Sequence, residues 1–144
     1  MTPPAIRAVT DARFPPASAR ARAHEVMELT GMTDVARVVS RNLSHGDQKL
    51  LDIALALALE PRVLLLDEPT EGLQPSMVAR IREVVEGLRE SGVATLLVEQ
   101  RVEAVHALAD RVTFLENGRM RETIPGAELD THSALFHRYV GIGT

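Results

Sequence analysis

Apolar positions along the chain follow two periods, and the switches between them mark out the elements. From about Ser18 to Thr30, Val26, Met27 and Leu29 recur among alanines and charged residues, a helical pattern that Gly31 closes. "GMTDVARVVSRN" predicts a second, short helix with Val35, Val38 and Val39 turned inward. Ser44 and Asp47 have the S-x-x-acid spacing of a capping box, although Glu or Gln is the usual fourth residue. A helix is expected from there to Leu59, stopped by Glu60-Pro61. Leu50, Leu51, Ile53, Leu55, Leu57 and Leu59 surround it, with Asp52 its single charge after Lys49, so it reads as a buried helix.

"RVLLLD" (Arg62–Asp67) is a continuous apolar run of strand length, the pattern of a strand covered on both faces of a parallel sheet, and Pro69 closes it. Ser76 is placed to cap the next helix, where Met77, Ile81, Val84, Val85 and Leu88 make an apolar stripe and Gly92 marks the end. "VATLLV" (Val93–Val98) is another buried strand, and Val102, Val105, Leu108 and Ala109 line a short helix. "RVTFL" and "RMRET" flank Asn117-Gly118, the strongest short-range hairpin signal. Pro125-Gly126 turns the chain again, and a last helix is expected over roughly Ser133–Val140, ending at Gly141. Residues 1–18 carry Pro3, Pro4, Pro15 and Pro16 and read as irregular. Strand and helix alternate, so the expected class is α/β with a mostly parallel sheet.

Composition narrows the possibilities. A length of 144 residues suits one compact domain, and 45% hydrophobic with only 3% aromatic residues means a core of Leu, Val, Ala and Ile. A net charge of −4 with no basic stripe argues against a nucleic-acid partner. The chain has no cysteine, which excludes disulfides, thiolate zinc sites and cysteine nucleophiles. Asp52, Glu60 and Arg62 interrupt the longest apolar stretches, so none reaches the roughly 20 residues of a spanning helix. The N-terminus lacks the continuous apolar run of a signal peptide, and the Arg- and Ala-rich first 22 residues, with the single acid Asp11, read as a solvated terminus in preference to a transit peptide.

Three places carry candidate chemistry. Asp67 and Glu68 end a parallel strand, where such sheets bind ligands. One carboxylate there can hold Mg²⁺ and the next can orient or deprotonate a water; two ordinary surface acids are the alternative. Ser44-His45-Gly46 combines a hydroxyl, a glycine and the positive end of a helix into an anion site, against the alternative of a plain helix cap. His45, His106, His132 and His137 show no metal spacing. Gln100 follows the second strand behind Glu99, where its amide could reach a phosphate oxygen or water, or simply begin a helix.

Taken jointly and in order, these features resemble the C-terminal half of an ABC-transporter ATPase. "LSHGDQ" resembles the ABC signature, "VLLLDEP" Walker B with its catalytic glutamate, "EGLQP" the D-loop and "LLVEQR" the switch region. The resemblance runs from roughly Ala23 to Gly141, and "LSHGDQ", "EGL-x-P", "VEQ" and "YVGIG" are most similar to the branch importing branched-chain amino acids, urea or related amides. It implies a partial P-loop NTPase fold: an irregular 1–22, a signature helical part over 23–60, a Walker B and switch core over 61–124 and a C-terminal helix over 125–144. It also implies roles. Ser44, His45, Gly46, Asp47 and Gln48 would meet the γ-phosphate of ATP held by an opposing subunit. Asp67 would serve Mg²⁺, Glu68 would polarise the attacking water, Gln100 would occupy the switch position, and Gly72 to Pro75 would cross the dimer interface. The implied partners are a second ABC ATPase subunit and transmembrane permease subunits, at the cytoplasmic face of the cell membrane.

The sequence departs from the general family pattern in its signature, D-loop and switch residues and in its phosphate loop. His45 stands where the general signature has glycine and Asp47 where it has glutamine; both variants suit the amino-acid and urea branch. Gln74 replaces the D-loop aspartate. Gln100 replaces the usual switch histidine, and an amide can donate to phosphate but cannot become cationic. The largest departure is the absence of G-x-x-x-x-G-K-[ST], the backbone cradle and lysine for β- and γ-phosphates; the glutamine loop before the signature has no counterpart either. Turnover by the chain alone is therefore not expected. The competing reading is a non-catalytic module that offers Ser44–Gln48 to a complete ATPase. A DNA-repair or chromosome ATPase would need long heptad coils, and no heptad array occurs.

Overall fold

The computed structural model describes residues 16–129 and 138–139. Helix α1 (Ala17–Leu29) ends as expected, with Gly31 in the left-handed region at φ +64°. The second helix expected over 31–42 does not form. Two 3₁₀ turns, Thr33–Val35 and Ser40–Asn42, replace it, and Val38 and Val39 lie exposed. β-Branched residues lose side-chain freedom in a helix, and a segment this short cannot repay helix nucleation without a buried face.

Helix α2 (His45–Leu57) buries Gly46, Leu50, Ile53, Ala54 and Leu57, a single stripe at helical spacing. The expectation of burial all round fails here: Leu55 and Leu59 are 61% and 83% exposed. The chain leaves α2 through Glu60 at φ +53° and enters β1 (Val63–Asp67). Helix α3 (Pro75–Glu90) then carries it back to β2 (Ala94–Val98). Gln74, not Ser76, occupies the N-cap of α3, and Pro75 takes the first helical position. Proline suits that position because its φ is already helical and no N–H is needed there.

Strands β1 and β2 pair in parallel, with Val63 opposite Ala94 and Asp67 opposite Val98. Their covered face carries Leu64, Leu66 and Leu97 against α2 and the Ile81, Val84, Val85 and Leu88 stripe of α3. The other face bears Val63, Leu65, Leu96 and Val98, all more than half exposed. The expected cover on both faces is thus met on one face among the described residues.

Helix α4 (Val102–Leu108) leads into the hairpin β3 (Arg111–Glu116) and β4 (Arg119–Pro125). Asn117 and Gly118 both have positive φ, at 50° and 72°, as the tight hairpin turn requires. A second small core gathers Val102, Phe114 and Leu129, with Tyr139 stacked on Phe114 at a centroid distance of 4.9 Å. After β4 the chain passes so near Ala109 that a Cβ on Gly126 would lie 1.7 Å from the Ala109 carbonyl oxygen. Of the expected last helix, Arg138 and Tyr139 are helical; the rest falls outside the described residues.

Ile81 is fully buried between the helices and the sheet, whereas Leu59 is largely exposed. Ile81→Ala should lower unfolding free energy by about 2–5 kcal/mol and Leu59→Ala by less than about 0.5 kcal/mol, read from urea denaturation.

Candidate functional site: a capped helix start and a carboxylate corner

The start of α2 is built as the spacing predicts. The Ser44 hydroxyl donates to Asp47 Oδ2 at 2.6 Å and accepts the Asp47 backbone N–H at 3.2 Å. The Ser44 half of a capping box is made; Asp47 takes the Ser44 hydroxyl, where a capping-box Glu would take the N-cap backbone N–H. Asp47 is also paired with Arg80 of α3 at 3.5 Å, and the same guanidinium donates to the Gly31 carbonyl at 2.7 Å. The negative Asp47 sits in the first turn, where the helix end favours anions; Arg80 offsets part of its charge. Gln48 turns its amide back to the carbonyls of Leu43 and Ser40, at 3.3 and 3.5 Å. His45 is exposed. Gly46 is buried because α3 crosses there: a Cβ would lie 2.5 Å from Met77 Cγ.

The second group forms at the ends of the two strands. Asp67, the last residue of β1, is exposed, and one residue later Glu68 enters the left-handed region at φ +45°. That conformation costs a non-glycine residue about 1–3 kcal/mol and must be held from outside. Two contacts hold it: the Glu68 N–H donates to the Val98 carbonyl at 2.9 Å, and Lys49 of α2 donates to the Glu68 carbonyl at 3.3 Å. The Glu68 carboxylate accepts a hydrogen bond from the Gln100 side-chain amide. Asp67, Lys49 and Asp52 line a cleft of about 210 Å³ beside β1.

The structure therefore brings Glu68 and Gln100 into contact and places Asp67 beside them. Ser44, Asp47 and Gln48 form a separate cluster whose contacts run to Arg80, Leu43 and Ser40. Lys49, one residue past Gln48, connects the two regions. Neither Lys49 nor Arg80 was marked by the sequence, since each acts on a backbone carbonyl or side chain brought near only by packing. Among the described residues no cluster of three or more His, Cys, Asp or Glu could hold a metal unaided. A single strand-end carboxylate nonetheless suits Mg²⁺, which takes one or two protein carboxylates and completes its shell with water and phosphate.

Comparison with known proteins fits this geometry. Residues 4–71 match the family model for the ABC transporter domain. The high-affinity branched-chain amino acid transport ATP-binding protein BraG of Pseudomonas aeruginosa is 43% identical over 99 residues, 69% of this chain and 42% of BraG. A probable amino-acid ABC transporter ATP-binding protein, y4tH of Sinorhizobium fredii, is 39% identical over 105 residues, 72% of this chain and 41% of y4tH. The chain is a relative of the ABC transporter ATP-binding proteins.

The fold agrees. A nucleotide-free ATP-binding cassette from an ABC transporter superposes with a TM-score of 0.80 at 21% identity, covering 100% of this chain and 58% of that one. The ABC-type chain thus has part of the P-loop NTPase fold, and it spans about two fifths of the length of these two curated relatives. The family match begins at residue 4, upstream of Ala23, where the motif resemblance starts.

Within the ABC-type chain, the close approach of α3 to Gly46 gives a direct check. Gly46→Ala should cost about 1–3 kcal/mol of stability, and a Met77→Ala background should remove much of that cost, measured by denaturation of the two single variants and the double variant.

Proposed function

We propose that this chain supplies a signature to the ATP of an opposing ABC transporter subunit and a water-activating carboxylate beside its own sheet. The observation that carries the reading is the Glu68–Gln100 hydrogen bond at the flush carboxyl ends of two parallel strands. Glu68 orients and deprotonates the attacking water, and Gln100 donates to a phosphate oxygen. Asp67 is the residue to hold Mg²⁺, which when bound neutralises phosphate charge. Ser44, His45, Gly46, Asp47 and Gln48 face the γ-phosphate of ATP on an opposing subunit, using the helix start and the serine hydroxyl. Gly72, Leu73, Gln74 and Pro75 lie at the contact between the two subunits.

The phosphate cradle must come from outside residues 1–144, because no Gly-rich loop with its lysine occurs in them. Two features support that assignment: the open apolar face of β1 and β2, and the absence among the described residues of a second partner strand for β2. The assembly we propose is a second ATPase subunit with transmembrane permeases at the cytoplasmic face of the membrane. Its cargo is a branched-chain amino acid, urea or a related amide; the similarity to BraG supports the first of these. No helix among the described residues is long and apolar enough to cross a membrane. The missing cradle also favours a second reading, a non-catalytic module that presents Ser44–Gln48 to a complete ATPase.

ATP turnover separates these readings. The pure chain should show none, and addition of a cradle-bearing ATPase partner should start it. Ser44→Arg should block that rescue in both cases. Glu68→Gln in this chain should lower the rescued rate at least 100-fold if the chain contributes its own base, and should leave it unchanged if it is a module alone. Tight magnesium-dependent ATP binding by the pure chain would overturn both.

A further inference from the structure

Thr70 lies two residues past Glu68 and is fully buried. A buried hydroxyl needs a partner, and Thr70 finds it across the sheet in Glu99, the residue after β2. Glu99 Oε1 accepts from the Thr70 hydroxyl and from the Thr70 N–H, the latter at 3.0 Å. Glu99 Oε2 accepts the backbone N–H of Gln100 at 3.2 Å. One carboxylate therefore grips both strand ends: one oxygen holds the segment after β1, and the other holds the backbone of the residue whose side chain reaches Glu68. Arg101 tightens the same junction, donating to the Thr70 carbonyl at 3.3 Å.

Displacement at Thr70 would travel both ways along its own loop. The Glu71 N–H donates to the Glu68 carbonyl and the Leu73 N–H to the Thr70 carbonyl, each at 3.3 Å. Thr70 is thus tied forward to Leu73, and its neighbour Glu71 is tied back to Glu68. We propose that Glu99 is a positioning residue that sets the Glu68 carboxylate against the Gln100 amide and fixes the Gly72–Pro75 segment relative to both. Its bearing on catalysis rests on the functional reading above, but the geometric claim does not. Hydrogen bonds to a carboxylate are among the strong ones, which suits a part that must not slacken. Glu99 itself stands outside both apolar clusters, so its removal should leave the packing of α2 and α3 in place.

Amide exchange and the side-chain amide resonances of Gln100, recorded by NMR on the full chain, test this without any turnover. Failure of the hydrolysis reading therefore leaves the result interpretable. In Glu99→Ala, exchange at Thr70, Glu71 and Leu73 should rise about tenfold or more, while Leu50 and Ile81 keep their protection. The Gln100 side-chain resonances should move to free-glutamine positions. Glu99→Gln retains a carbonyl acceptor for Thr70 and should return the exchange readout toward wild type, but it sets an NH2 donor against the Gln100 backbone N–H, so the Gln100 resonances should recover only in part. Thr70→Val, which removes the hydroxyl alone, should shift Gln100 in the same direction by a smaller amount. The proposal is overturned if Gln100 does not respond to Glu99→Ala, or if exchange rises equally at Leu50 and Ile81, since Glu99 would then be a general support of the fold.

Discussion

Everything at the carboxylate corner depends on the register in which β1 meets β2. Asp67 lies opposite Val98, so the two strands finish level and the residues that follow them emerge side by side. A slip of one residue would turn Leu64 and Leu66 away from α2 and α3 and leave the core without its floor. It would also move Gln100 off Glu68. The packing of Ile81, Val84, Val85 and Leu88 against one face of the sheet therefore fixes the chemistry as well as the fold. The 16-residue crossover helix α3 does both, because parallel strands need a long connection and this one brings its own apolar stripe.

The two chemical groups differ in how they manage charge. At the corner, Glu68 adopts a left-handed backbone and is held by Lys49 and Val98, so an acidic residue is fixed where an unconstrained chain would place a glycine. At the start of α2 the helix end already carries an acid. The Ser44 hydroxyl accepts the Asp47 backbone N–H, and Arg80 tempers the Asp47 charge. An incoming phosphate would meet Ser44 only by displacing the Ser44–Asp47 hydrogen bond. The helix start described here is thus a satisfied cap whose hydroxyl is engaged until a competing acceptor arrives.

Local pattern made much of this legible. The existence of α1, the α3 stripe, the Asn117-Gly118 turn, the Ser44–Asp47 cap and the strand ending in Asp67-Glu68 all rest on spacing within a few residues. The misses have separate physical causes. Leu55, Leu59, Val63 and Leu65 look buried in the sequence because an apolar run does not say which of its sides is covered; cover depends on which neighbours are present. The segment 31–42 failed as a helix because only Met32 and Val35 reach the core, while Val38 and Val39 stay exposed. Glu99 escaped notice for another reason. Its partner Thr70 is 29 positions away, and only the parallel register reveals that these residues flank the same corner.

On the proposed function, the exposed face of the sheet and the phosphate cradle that residues 1–144 do not contain have a common remedy. A two-stranded sheet is marginal when one face is wet, and Val63, Leu65, Leu96 and Val98 present apolar surface there. Among the described residues, β2 also has no strand on its far edge, the edge beyond which an additional parallel strand would end next to Gln100. Phosphate-binding loops in α/β sheets sit at just such a junction, where a strand's carboxyl end turns into a helix whose first N–H groups face the ligand. One added strand and helix would thus pair the bare edge, cover the apolar face and set backbone donors beside Gln100 and Glu68. The structural deficit and the chemical deficit lie in the same place, so whatever supplies the cradle should also stabilise the sheet.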